Sequence, residues 1–127
     1  MHTKLGPGGL ADVEWTVQLL QLRHGAEVPG LRTPRTLAAL AAAGQGGLLT
    51  LEQVETLAHA WRTASRVRNA VLLVTGRPGD SLPKYLRELS GVARVLGYPP
   101  GASGTLMDDY GRATRRARTV VESVFYR

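Results

Sequence analysis

One stretch of the sequence is punctuated for a long helix, and the rest of the chain must pack around it. Thr50 and Gln53 have the spacing of a capping box, in which the threonine hydroxyl accepts the third backbone N–H and the glutamine side chain reaches back to the threonine N–H. From Leu51 an unbroken helical pattern runs to about Thr75, where Gly76 and Pro78 close it. At 1.5 Å per residue this helix would be on the order of 36 Å long. Four shorter runs carry similar marks. Gly6-Pro7-Gly8-Gly9 precedes a periodic run from Leu10 to His24, with Gly25 placed to end it. Thr33-Pro34 reads as N-cap and first helical residue of a short alanine-rich helix that Gly44 stops, and Gly46-Gly47 then allow a turn. A fourth helix fits residues 82–96, ended by Gly97 and Pro99-Pro100. The last follows Gly104, with Thr105 as cap and Asp108 three residues on, and runs to about Tyr126. No alternating run with a hairpin turn reads as a pair of strands. The expectation is all-α: residues 1–127 form a single bundle of about five helices with up-down packing and no sheet, and residues 1–9 are a glycine-rich loop leading into it.

Composition narrows the chemistry. A chain of 127 residues with 43% hydrophobic and 20% charged residues can build one core, hence one domain. It has no cysteine, which excludes a disulfide framework and cysteine-based zinc or redox sites. His2, His24 and His59 are too scattered for a metal pattern. No apolar run approaches the roughly 18 residues of a membrane span, and the first residues carry no signal-peptide stretch. A soluble cytoplasmic protein without a membrane partner is expected. The formal charge is 16 − 10 = +6, carried by 14 Arg and 2 Lys. Arginine suits bidentate contact with carboxylate or phosphate, so the excess leaves nucleic acid, an acidic partner and simple residue usage open.

Placing residues at about 100° per position assigns faces. In the last helix Leu106, Tyr110, Ala113, Ala117, Val120, Val121 and Val124 share one face, and Asp108, Asp109, Arg112, Arg115 and Arg116 the opposite one. The aspartates stand at ion-pair spacing before Arg112, which favours a solvated face over a phosphate patch. The first helix carries two seams, Leu10, Val13, Val17 and Leu20 on one side and Trp15, Leu19 and Leu22 on the other, with Glu14, Gln18 and Gln21 between them. Two seams imply two neighbours and a partly buried Glu14, which then needs a partner. In the long helix Arg68 falls within the stripe of Val54, Leu57, Ala58, Trp61, Ala64 and Leu72. An ion pair from Arg68 to Glu14, or failing that Asp12, is expected; the alternative is an arginine that snorkels to solvent along its aliphatic stem.

Lys4-Leu5-Gly6-Pro7-Gly8-Gly9-Leu10-Ala11-Asp12-Val13-Glu14 is the least generic stretch. Glycines before a helix let backbone approach a ligand, and the first-turn amides with the helix dipole favour an anion such as phosphate. Lys4 would add a mobile charge. The same glycines also serve a loop that merely turns the chain, and no GxGxxG or Walker spacing follows.

This segment resembles the lysine, double-glycine, Asp-Val-Glu signature that opens the helical domain following the nucleotidyltransferase domain in glutamine-synthetase adenylyltransferases, a domain type shared more distantly with PII uridylyltransferases. The resemblance continues through Trp15-Thr16-Val17-Gln18-Leu19-Leu20-Gln21-Leu22, Pro29-Gly30-Leu31-Arg32-Thr33, Arg66-Val67-Arg68-Asn69-Ala70 and Thr114-Arg115-Arg116-Ala117-Arg118. It covers nearly the whole chain, and the arginine- and alanine-rich style is similar to high-GC actinobacterial members. The Ala11-Asp12-Val13-Glu14-Trp15 wording resembles the C-terminal, adenylylating half of that duplicated enzyme.

The resemblance implies a parent that transfers AMP from ATP to a tyrosine of glutamine synthetase, using Mg²⁺ held by a Gly-Ser loop and an Asp-x-Asp pair. This chain has neither motif, since Asp108-Asp109 are adjacent and helical. It therefore reads as a helical domain, inactive alone, with no catalytic or metal residue of its own and no cofactor within it. Lys4, Gly6, Gly8 and Gly9 are the nucleotide- or phosphate-loop candidates; Asp12, Glu14, Arg68 and Asn69 are the residues that would organise the loop. Expected partners are the upstream nucleotidyltransferase domain, glutamine synthetase and a PII protein. A second reading makes the chain a regulatory module that docks glutamine synthetase or PII through exposed arginines. A third, a nucleic-acid binder, has no aromatic-basic interleaving or helix-turn-helix to support it.

Overall fold

Leu51–Thr75 forms one helix with both ends built as the sequence spells them. In this computed structural model, which describes residues 9–79 and 82–126, the Gln53 N–H donates to Thr50 Oγ1 at 3.1 Å and the Thr50 N–H to Gln53 Oε1 at 2.9 Å. Gly76 ends the helix at φ 70°, the left-handed conformation that a Cβ disfavours. Among the described residues the elements are α1 (Leu10–His24), a short 3-10 turn (Pro29–Leu31), α2 (Thr36–Gln45), α3 (Leu51–Thr75), α4 (Leu86–Val95) and α5 (Ser103–Phe125), with no strand. The all-α expectation and the bounds of α1 and α3 hold.

Four boundaries differ from the sequence reading. Helix α2 begins at Thr36 with Arg35 as N-cap. Thr33 does not cap it: its hydroxyl accepts the Arg35 N–H at 3.2 Å and shapes the turn ahead of the helix. Gly44 does not stop α2 either, because the helix runs on to Gln45. A Cβ on Gly44 would lie 2.9 Å from Val54 Cγ2, so its missing side chain serves the close approach of α2 to α3. Helix α4 starts at Leu86 rather than residue 82. Pro83 disfavours helical geometry in the residue before it, and Leu82 is buried as a loop anchor instead. Helix α5 starts at Ser103, so Thr105 lies inside its first turn and no side chain caps it. Ser103 is buried, with its hydroxyl 3.2 Å from that of Ser90 on α4.

The core is laid along α3 in two clusters. One joins Val13, Val17 and Leu20 of α1, Leu40 and Ala43 of α2, Leu57 and Ala60 of α3, and Ala117, Val121 and Val124 of α5. The other joins Ala64, Val67 and Val71 of α3, Leu89 and Val92 of α4, and Leu106 and Tyr110 of α5. The first half of α3 thus meets the end of α5, and the second half meets its beginning. The two long helices are antiparallel, and α5 buries the face its periodicity predicts, with Val120 only partly covered.

The 3-10 turn is absent from the sequence reading, and α1 holds it in place. Gln21 Nε2 donates to the carbonyls of Leu31 at 2.7 Å and Thr33 at 2.9 Å, while Leu31 is fully buried. A glutamine assigned to a polar strip is therefore a clamp for the α1–α2 connection.

Candidate functional site

The N-terminus of α1 is the part of the expected anion loop that lies within the described residues. Gly9 is its N-cap, buried and extended at φ −90° and ψ −159°, and offers no side chain to cap the first turn. Its carbonyl accepts the Val13 N–H at 3.1 Å. Lys4, Gly6 and Gly8 lie outside the described residues. One turn on, Thr16 is fully buried and its hydroxyl donates to the Asp12 carbonyl at 2.8 Å.

Beside this turn lies a shallow recess of about 390 Å³ lined by Leu10, Glu14, Trp61, Ser65, Arg68 and Asn69. It gathers three of the four residues expected to organise the loop, but not as an ion pair. Glu14 and Arg68 are both exposed, and among the described residues Arg68 pairs with neither Glu14 nor Asp12. The partly buried Glu14 and the core Arg68 of the sequence reading are both corrected. That reading gave the most weight to the large apolar side chains of α3, whereas the buried face centres on Leu57, Ala60, Ala64, Val67 and Val71. Small alanines mark where neighbouring helices come closest, so Trp61, Arg68 and Leu72 fall on the margin. The Trp61 indole nitrogen is buried and has no hydrogen-bond partner among the described residues.

The second seam of α1 is uncovered in this chain. Trp15 is 59% and Leu22 87% exposed, and only Leu19 of that seam packs against the core. The side of α1 that carries Val13, Val17 and Leu20 meets α2, α3 and α5, and among the described residues nothing covers Trp15 and Leu22.

On the opposite side of α3 a smaller but more enclosed cleft, about 280 Å³, opens between α3, the end of α4 and α5. His59, Thr63 and Arg66 project from α3 at i, i+4, i+7 and Asp109, Arg112 and Arg116 from α5 at i, i+3, i+7, so each helix presents one polar row. The floor includes buried Val67, Leu106 and Ala113. By periodicity alone Asp109, Arg112 and Arg116 belong to a solvated face. The expected Asp109–Arg112 ion pair is present at 3.6 Å, but the row also walls the cleft. The signal that could have found it is the pairing of two polar rows at helical spacing.

Tyr98, after α4, closes one end of the cleft and donates its hydroxyl proton to Asp109 Oδ2 at 2.6 Å. Burial, then this hydrogen bond and the nearby carboxylate charge, push the phenol pKa up from 10.0 to about 12. Because the folded value is raised, the stabilisation it brings is complete below pH 10 and disappears as pH rises through about 12. In an absorbance titration one phenolate signal should therefore emerge near pH 12, move down toward 10 in Asp109→Asn, and vanish in Tyr98→Phe. A titration that Asp109→Asn does not alter would show that the pair is not made.

Among the described residues no three His, Asp or Glu side chains cluster as metal ligands. Asp108 and Asp109 are consecutive on a helix, and Asp109 is already engaged by Tyr98 and Arg112. They do not fit a magnesium–triphosphate site. No helix among the described residues is long and apolar enough to cross a membrane.

The comparisons with known proteins agree with one another. A family profile described as GlnD PII-uridylyltransferase matches residues 1–125. A bifunctional glutamine synthetase adenylyltransferase/adenylyl-removing enzyme of Streptomyces coelicolor is 61% identical over 126 residues, covering 99% of this chain and 13% of that protein. The proteins of the same description from Nocardia farcinica and Mycobacterium avium are 54% and 52% identical, each over 98% of this chain and 12% of their own length. The chain spans 12–13% of these relatives.

Proposed function

The chain belongs to the GlnD PII-uridylyltransferase family, and on that premise we propose that it serves as the helical domain of a glutamine synthetase adenylyltransferase, a cytoplasmic enzyme that transfers AMP from ATP to a tyrosine of glutamine synthetase and so regulates nitrogen assimilation. The observation that carries this reading is identity of 61% over 99% of the chain with a relative of that description. The parent's ATP and Mg²⁺ belong, in this reading, to its nucleotidyltransferase domain, since the carboxylates described above do not fit the metal. Bound there, the metal would neutralise charge on the phosphates during transfer. This domain would contribute binding and positioning, without catalysis by itself.

The loop of residues 4–9 would face the cleft of the nucleotidyltransferase domain, with Lys4 directed at a phosphate and Gly6, Gly8 and Gly9 allowing close backbone approach. Glu14, Arg68 and Asn69 would hold the loop from the recess side, with Asp12 beside it in the first turn of α1. The uncovered Trp15 and Leu22 offer an apolar face for a neighbouring domain of the parent, and the buried Trp61 N–H, without a partner among the described residues, lies beside the recess that the loop would border. Partners in this reading are that neighbouring domain, glutamine synthetase and a PII protein.

The test is kinetic and uses the full-length parent with glutamine synthetase and ATP. Lys4→Ala should lower kcat/KM for adenylylation by about tenfold, roughly 1.4 kcal/mol of transition-state stabilisation, with the melting transition unchanged. Unchanged kinetics would remove the loop from the mechanism. Absence of adenylylation by the wild-type parent would remove the function itself.

A further inference from the structure

We infer that the cleft between α3 and α5 binds a small phosphate-bearing molecule with an apolar or aromatic body, the chemistry of a mononucleotide. The inference stands on the cleft alone and does not rest on the adenylyltransferase reading.

Charge is the first argument. Arg66, Arg112 and Arg116 line one cavity with His59, against the single carboxylate of Asp109. That carboxylate already accepts the Tyr98 hydroxyl and pairs with Arg112. Among the described residues Arg66 and Arg116 have neither an ion pair nor a hydrogen-bond partner. Guanidinium groups gathered around a partly enclosed space repel one another unless an anion sits between them, and their planar forks match phosphate oxygens two at a time.

Shape is the second. A solvated basic face made for an acidic protein would be broad and convex. Here the two polar rows oppose each other across a hollow whose floor is apolar, formed by Val67, Leu106 and Ala113. The volume of about 280 Å³ lies just below the roughly 300–1,000 Å³ of small-molecule sites, which suits a small ligand of mononucleotide size rather than a polymer. An apolar floor beneath a cationic rim selects a ligand with both an apolar body and an anionic group.

The cleft and the Glu14–Arg68 recess use opposite faces of α3. His59, Thr63 and Arg66 are separated by about half a turn from Trp61, Ser65, Arg68 and Asn69 at 100° per residue. A ligand in the cleft would therefore bridge α3 and α5 without touching the recess.

Calorimetric titration of the 127-residue chain at low salt with AMP, inorganic phosphate and adenosine tests this. AMP should bind more tightly than phosphate, and adenosine most weakly. Arg66→Gln and Arg116→Gln, each removing an exposed guanidinium, should each weaken AMP by about tenfold or more with an unchanged circular dichroism spectrum. Arg118→Gln, which removes the partner of Glu122 elsewhere on α5, should leave AMP binding as it was. Four results would overturn the inference: no AMP binding at about 1 mM, AMP binding insensitive to both cleft variants, phosphate binding as tightly as AMP, or a polyglutamate peptide that binds where AMP does not.

Discussion

Leu57→Ala is expected to destabilise the domain by about 2–5 kcal/mol, the range for truncating a fully buried leucine that leaves a cavity. Leu57 is completely shielded from solvent and belongs to the cluster where α3 meets α1, α2 and the end of α5. Those elements are joined by clamps that resist collapse, among them Gln21 on the Leu31 and Thr33 carbonyls, and the cavity should persist. Against a total stability of about 5–15 kcal/mol for a domain of this kind, the loss is a large fraction. Urea denaturation followed by circular dichroism should show a lower midpoint with an unchanged slope. The informative control is Leu51→Ala on the same helix, where the side chain is largely exposed and the change should stay within about 0.5 kcal/mol. Equal effects at the two leucines would mean that α3 is packed in a different rotation.

The opposite change tests how closely α3 and α5 approach. Ala117 is fully buried on α5 and shares its cluster with Ala60 of α3, also fully buried. Small residues at such positions let two backbones come together, and a larger side chain must push one helix away or take a poor rotamer. Ala117→Leu should therefore destabilise by about 1–3 kcal/mol even though it adds apolar surface and keeps a strong helix former. A neutral or stabilising outcome in the same urea experiment would show unfilled space between the helices.

Both substitutions probe what the hydrophobic pattern could and could not tell. The pattern identified α1, α3 and the buried face of α5, because cap chemistry and 3.6-residue periodicity are local. Thr50, Gln53 and Gly76 act on backbone groups within one turn of themselves, and no distant residue is needed to interpret them. Where packing overrides local preference, the reading slipped. Leu82 is buried in a loop rather than carried on α4, and Gly44 reads as a helix stop although its role is to admit Val54. The 3-10 turn depends on Gln21, whose partners lie 10 and 12 residues away.

The candidate site divides in the same way. The glycine-rich approach to α1 and the family resemblance are contained in consecutive residues, and the profile match over residues 1–125 agrees with them. The expected Arg68–Glu14 ion pair depends on which sides of two helices meet, and the exposed positions of both residues correct it. The cleft is the converse case. His59, Thr63 and Arg66 on one helix and Asp109, Arg112 and Arg116 on another are each an ordinary polar row when taken alone.

Which segments are helical, where the long one starts and stops, and which family the chain belongs to are all legible in residue order, because local backbone chemistry carries them. Helix packing alone makes Arg68 face solvent, leaves Trp15 and Leu22 uncovered, and sets two polar rows facing each other across an apolar floor. The physical reason is that burial and electrostatic environment belong to pairs of helices. Their rotation and spacing are set by the close fit of small residues such as Ala60 and Ala117, which a hydrophobicity pattern weighs least.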